Sequence, residues 1–114
     1  MRMDPVTSLE KLIAEGKDSA TLRFALGTAY LKQEKMTHAI RHLGAAVEMN
    51  PGYSAAWKLL GKAYASTGEI EEAKQSYERG IAVALERGDA QAAREMQVFL
   101  RRLNSAATQS DQTG

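Results

Sequence analysis

His38 and His42 stand four positions apart, the spacing at which two imidazoles on one helical face can share a metal ion. A hydrolytic zinc site needs a third protein ligand and a general base as well. Ala39 occupies the place beside the first histidine where such helices carry a glutamate. The pair is therefore expected to be two exposed surface histidines. No metal or cofactor is called for, and a metal-dependent enzyme is a remote alternative. Lys58 and Lys62 have the same spacing, and two ammonium groups one turn apart repel mildly unless an acidic ligand lies between or beside them. An acidic peptide would suit that pair; two solvated lysines are the alternative. The chain contains no cysteine, so thiolate nucleophiles, thiolate metal sites and disulfides are excluded. No glycine-rich loop follows a strand, and no serine or threonine is framed as a nucleophile. These residues point to a protein that is not an enzyme.

The elements that would position these side chains are legible from composition and repetition. At 114 residues, with 44% hydrophobic and 25% charged residues, the chain suits one folded domain. A net charge of +1, from 15 basic and 14 acidic residues, lacks the basic excess that neutralises a nucleic acid backbone. No stretch approaches the roughly 20 apolar residues that span a bilayer, and Met1-Arg2-Met3-Asp4-Pro5 is not followed by a secretory apolar run. A soluble protein that binds neither nucleic acid nor membrane is expected, and the absence of cysteine fits the cytoplasm.

The segment Arg23 to Tyr30 returns 34 positions later as Trp57 to Tyr64, with Leu26/Leu60, Gly27/Gly61, Ala29/Ala63 and Tyr30/Tyr64 identical. The same offset places Ala39 on Ala73, Leu43 on Tyr77, Ala46 on Gly80 and Val47 on Ile81. Leu22, Leu26, Ala29 and Tyr30 share one helical face, as do Met36, Ala39, Ile40, Leu43 and Val47. Asn50-Pro51-Gly52 breaks the chain, Ser54 is expected to cap the next helix, and Gly68 to end it in a left-handed conformation. Glu69, Glu71 and Glu72 then favour a helix start. Before the repeat, Asp4 or Thr7 can cap a helix that carries Leu9, Leu12 and Ile13 and ends near Gly16. After it, Asp89 opens a helix bearing Ala92, Met96, Phe99, Leu100 and Leu103. The polar stretch 104–114 is expected to be a disordered tail.

Trp57, Leu60, Gly61, Tyr64, Ala73 and Tyr77 follow the order W-x2-L-G-x2-Y, then A-x3-aromatic, and by them the chain resembles the tetratricopeptide repeat (TPR) family. The first unit resembles it through Leu26, Gly27, Tyr30, Ala39, Leu43, Ala46 and Pro51, with Arg23 where an aromatic is usual. The resemblance implies an all-α fold, a short right-handed α-solenoid of antiparallel helix pairs. One domain, 1–103, would hold units at about 20–53 and 54–87 and capping helices at about 5–15 and 89–103. Glu95 falls where a third glycine would stand, so the last helix is expected to be a cap. The resemblance further implies a scaffold that takes a partner protein or peptide in a concave groove lined by the first helix of each pair. That places Phe24, Thr28, Leu31 and Lys32 in the groove from the first unit, and Lys58, Lys62 and Ala65 from the second. Phe24, Thr28 and Leu31 lie off the packing stripe and leave an apolar patch, which the N-terminal helix would cover if it is not a binding surface. Thr28 stands where chaperone-binding members want an asparagine for their carboxylate clamp. A weak homodimer, joined through the incomplete ends or the Phe99 region, is the alternative function.

Overall fold

A computed structural model describes residues 4–113 of the chain, with side chains described over 4–106. It contains six helices in sequence: α1 (Pro5–Ala14), α2 (Ala20–Lys32), α3 (Met36–Met49), α4 (Ser54–Ser66), α5 (Ile70–Glu86) and α6 (Ala90–Thr113). Among the described residues there is no strand.

The local signals for these helices are mostly side-chain caps and glycine stops. Asp4 accepts a hydrogen bond from the Val6 amide and Pro5 opens α1, where its missing N–H costs nothing. Ser19 caps α2 through the Leu22 amide at 3.0 Å, and Asp89 caps α6 through the Ala92 amide at 3.1 Å. Gly16, Gly68 and Gly88 leave their helices with φ of 83°, 80° and 78°, a region that a β-carbon disfavours. Glu34 occupies the equivalent place after α2 with φ 59°, without glycine's freedom. Ser54 does not cap α4. It is the first helical residue, Tyr53 stands at the cap, and no side chain satisfies the first amides there. The chain leaves Pro51-Gly52 through a turn in which the Ser54 amide already donates to the Gly52 carbonyl, one residue later than the capping geometry needs. Helix α6 continues past Leu103 through Asn104, Ser105 and Ala106, which include neither glycine nor proline, into the stretch expected to be a disordered tail, whose side chains from 107 on lie outside the described residues.

Each helix packs on the next, and α2, α4 and α6 also touch in series, so the pairs stack into an array measuring 52 × 33 × 20 Å. Small residues set the separation of each pair. A β-carbon on Gly27 would come 2.6 Å from Leu43 Cγ, and one on Gly61 would come 2.6 Å from Tyr77 Cε1. Gly80 meets Met96 and Trp57 in the same way. One apolar cluster, centred on Leu26, Leu43 and Leu60, joins α1 to α4; a second, around Tyr77 and Met96, joins α5 to α6. Leu26 and Leu43 are fully buried, each contributing about 2 kcal/mol from removing its side chain from water.

Candidate partner-binding face

Helices α2, α4 and α6 touch in series, and the residues expected to line a groove fall into two groups, one on α2 and one on α4. On α2, Phe24 and Leu31 are half-buried against the first apolar cluster. Phe24 has a partner that its spacing did not reveal: the Tyr53 ring, 4.9 Å away between centroids, reaches it from the turn before α4. The apolar patch is thus partly closed, and Tyr53 rather than α1 supplies the ring that packs on Phe24. Thr28 donates its hydroxyl to the Phe24 carbonyl at 2.8 Å. Thr28 and Lys32 line a cleft of ≈ 270 Å³ whose other wall is Pro5 and Leu9 of α1. The ammonium group of Lys32 belongs to an exposed residue at its rim.

On α4, the two lysines part company. Lys58 Nζ lies 3.0 Å from Glu95 Oε2 on α6, and Gln91 donates to the other oxygen of the same carboxylate. The hydrogen bond from Lys58, followed by its charge, holds the Glu95 carboxyl below the usual carboxylate range. Lys62, one turn on, sits 5.1 Å from the centroid of Phe99, and Arg102 approaches the same ring at 5.9 Å. The acidic group that the lysine spacing called for is therefore within the chain for Lys58. Among the described residues, Lys62 and Arg102 enter no ion pair with a carboxylate. Ala65 is half-buried farther along α4.

The sequence reading missed Glu95, Phe99 and Arg102 as parts of this face, although the match of spacings was available. Glu95 and Phe99 are four apart, as Lys58 and Lys62 are, so two facing helices put them in contact rung by rung. The offset of 34 hid this, because α5 runs for 17 residues where α3 runs for 14 and carries α6 out of register. On another side, between α3 and α5, a cleft of ≈ 390 Å³ is lined by Val47, Trp57, Tyr64, Glu72 and Arg79. Trp57 donates its indole N–H to the Pro51 carbonyl at 2.8 Å, and the Arg79 guanidinium lies over its ring.

The expected pair of exposed histidines is corrected. His38 is exposed, but His42 is only 4% exposed, on the α3 face shared with Ala39 and Ala46. Arg23, in the place of the usual aromatic, donates to His42 Nδ1 at 2.9 Å and forks onto Asp18 with two further bonds of 2.9 Å. Burial, then the charges of Arg23 and Arg41, push the His42 pKa below its ordinary value. Among the described residues no group of three or more histidine, aspartate or glutamate side chains could hold a metal ion.

Antiparallel helix pairs stacked in series, with side chains of successive first helices meeting on one face, define a helical-repeat protein of the kind that serves as a binding scaffold. The family model for the tetratricopeptide repeat matches residues 30–96. The chain belongs to the tetratricopeptide repeat family, and its fold is a short right-handed α-solenoid. It is 48% identical over 103 residues to the TPR repeat-containing protein PA0015 of Pseudomonas aeruginosa, covering 90% of this chain and 98% of that one. The solution structure of protein BPP2914 from Bordetella parapertussis is similar at 41% identity and a TM-score of 0.83, over 98% of this chain and 96% of that one. The fold is shared, at 23% identity and a TM-score of 0.65, with the first TPR of Spaghetti, whose structure is bound to an HSP90 peptide and matches 95% of this chain and 99% of that one. Among the described residues no helix is long and apolar enough to cross a membrane.

Proposed function

We propose that the chain is a non-catalytic cytoplasmic module that holds a segment of a partner protein on the face of α2, α4 and α6. The observation that carries this reading is the presence, on α2, α4 and α6, of half-buried apolar side chains (Phe24, Leu31) together with cations that no carboxylate neutralises among the described residues (Lys62, Arg102). An extended or helical segment with apolar and acidic side chains would bury the first group and neutralise the second. Thr28, Lys32 and Ala65 border the same surface, while Lys58 contributes less because Glu95 already holds it. The fold-level likeness to a peptide-bound TPR supports a groove of this kind and leaves the partner's identity open.

The test is a capture of partners from the native host, followed by titration of the labelled protein with the bound segment. Amide shifts at Thr28, Leu31, Lys62 and Ala65 are expected, and weakening on Lys62→Glu. Shifts confined to α3 and α5 would sink the reading. A weak homodimer is the second reading, favoured by Leu85 and Met49, large apolar residues exposed at 56% and 48%. Sedimentation equilibrium decides it, and a monomer at high concentration removes it.

A further inference from the structure

The N-terminal helix is tied to the first repeat by two polar arms that meet at one buried imidazole. The first arm runs from Asp18, in the connection after α1, through the forked Arg23 guanidinium to His42 Nδ1. The second runs from Glu10 on α1, whose carboxylate accepts the Tyr30 hydroxyl, to the Tyr30 ring, which stacks on His42 at 5.5 Å and 9°. The Tyr30 ring is buried, at 6% exposure, while Glu10 reaches its hydroxyl from the exposed side of α1.

The bond from Arg23 dictates the state of His42. A guanidinium has no acceptor and keeps its charge, so Nδ1 must offer a lone pair; His42 is neutral with its proton on Nε2. A second proton on Nδ1 would point at Arg23 from 2.9 Å, removing the hydrogen bond and setting two cations together. The charged and titratable groups facing His42 are Glu10 from α1, Arg23 and Tyr30 from α2, and His38 and Arg41 from α3, with Asp18 reaching it across Arg23. Glu10 favours the proton, whereas Arg23, Arg41 and His38 oppose it. The proton can be taken up readily only if the ring and the Arg23 guanidinium separate, and a ring that moves off Arg23 also shifts against Tyr30, so the movement disturbs both arms.

What lies beyond the arms is weakly held by itself. Helix α1 has 10 residues, too few to persist without tertiary contacts, and Val6 is its one buried side chain, with Leu9 and Ile13 only partly buried beside it. We propose that His42 is an acid-operated latch: neutral, it locks α1 onto the first repeat, and protonated, it releases α1 while the remainder of the array stays folded. Release would uncover the α2 side of the cleft at Thr28 and Lys32, so the latch would also reshape one end of the proposed binding face.

Amide hydrogen exchange of the full chain at about pH 7.5 and about pH 5, corrected for intrinsic rates, tests the latch. One proton linked to opening raises the open population by about tenfold per pH unit across the titration. A loss of protection of that order is expected in α1, with α4 and α5 unchanged. His42→Gln, which can accept from Arg23 but cannot titrate, should keep α1 protected at both values, and His38→Gln should respond as the wild type does. Should His42→Gln fail to fold, nitrogen shifts of the wild-type ring give an independent reading. They should show the Nε2–H tautomer near neutrality, and a titration midpoint that coincides with the loss of α1 protection. An Nδ1–H tautomer, an α1 indifferent to pH, or simultaneous loss in α1, α4 and α5 would each overturn the proposal.

Discussion

Replacing Gly44 and Gly61 by alanine makes the same chemical change in two helices that differ in what stands beside the new methyl group. At Gly44 a β-carbon meets nothing within 4 Å, and the residue lies inside α3. At Gly61 it would come 2.6 Å from Tyr77 Cε1, 2.8 Å from Cδ1 and 2.9 Å from Cζ. Tyr77 is 2% exposed and packs against Phe99 at 5.6 Å, so its ring has no open space to swing into. Alanine adds about 1 kcal/mol of helix propensity in either helix. Overpacking at Gly61 costs about 1–3 kcal/mol, and it should appear undiluted as the difference between the two variants because the propensity gain cancels. Gly44→Ala should therefore exceed the wild type by up to about 1 kcal/mol. Gly61→Ala should fall about 1–3 kcal/mol below Gly44→Ala. Urea unfolding followed by far-ultraviolet circular dichroism measures this, provided that the slopes agree. With about 4 °C of melting temperature per kcal/mol for a chain of this size, thermal scans should separate the variants visibly. Coincident curves for the two alanine variants would refute the claim that close approach at Gly61 sets the α4–α5 spacing.

Three other perturbations follow from local geometry. Glu34→Gly should stabilise the chain by about 1 kcal/mol in the same urea assay, since it relieves the left-handed φ of 59° at the place that Gly68 fills in the second unit. Asp89→Ala should lose about 1 kcal/mol with the cap on α6, and a glycine at that site should recover part of it. Burial pushes the Tyr77 phenol up to about 12, above its ordinary 10, because the phenolate is disfavoured in the apolar cluster. The raised value means that its contribution to stability is complete below about pH 10 and is lost as pH rises toward about 12. Tyr77→Phe should flatten that alkaline decline, and identical slopes for the two proteins would count against a buried phenol.

The helix-pair architecture could be read from the chain because its signals are local and repeated. Leu26/Leu60 and Gly27/Gly61 recur at a fixed offset, helices carry their apolar stripes in successive turns, and Gly16, Gly68 and Gly88 mark three of the ends. Those features depend on neighbours a few residues away or on the preceding unit, so one sequence determines them. The makeup of the proposed binding face depends instead on which side chain from another helix arrives opposite. Lys58 meets Glu95 and Lys62 meets Phe99 because α5 is longer than α3, which sets where α6 begins and turns it relative to α4. Phe24 gains Tyr53 from a turn 29 residues away, and the turn's path also leaves Ser54 inside its helix instead of capping it. His42 is the sharpest case. Its place between Ala39 and Ala46 on the packed face was available in the sequence, but its burial with a charged partner required Arg23 to stand where the second unit has Trp57. Periodicity fixes which face of a helix turns inward; only three-dimensional packing decides which distant group shares that space and therefore which charges are paired, buried or left for a partner.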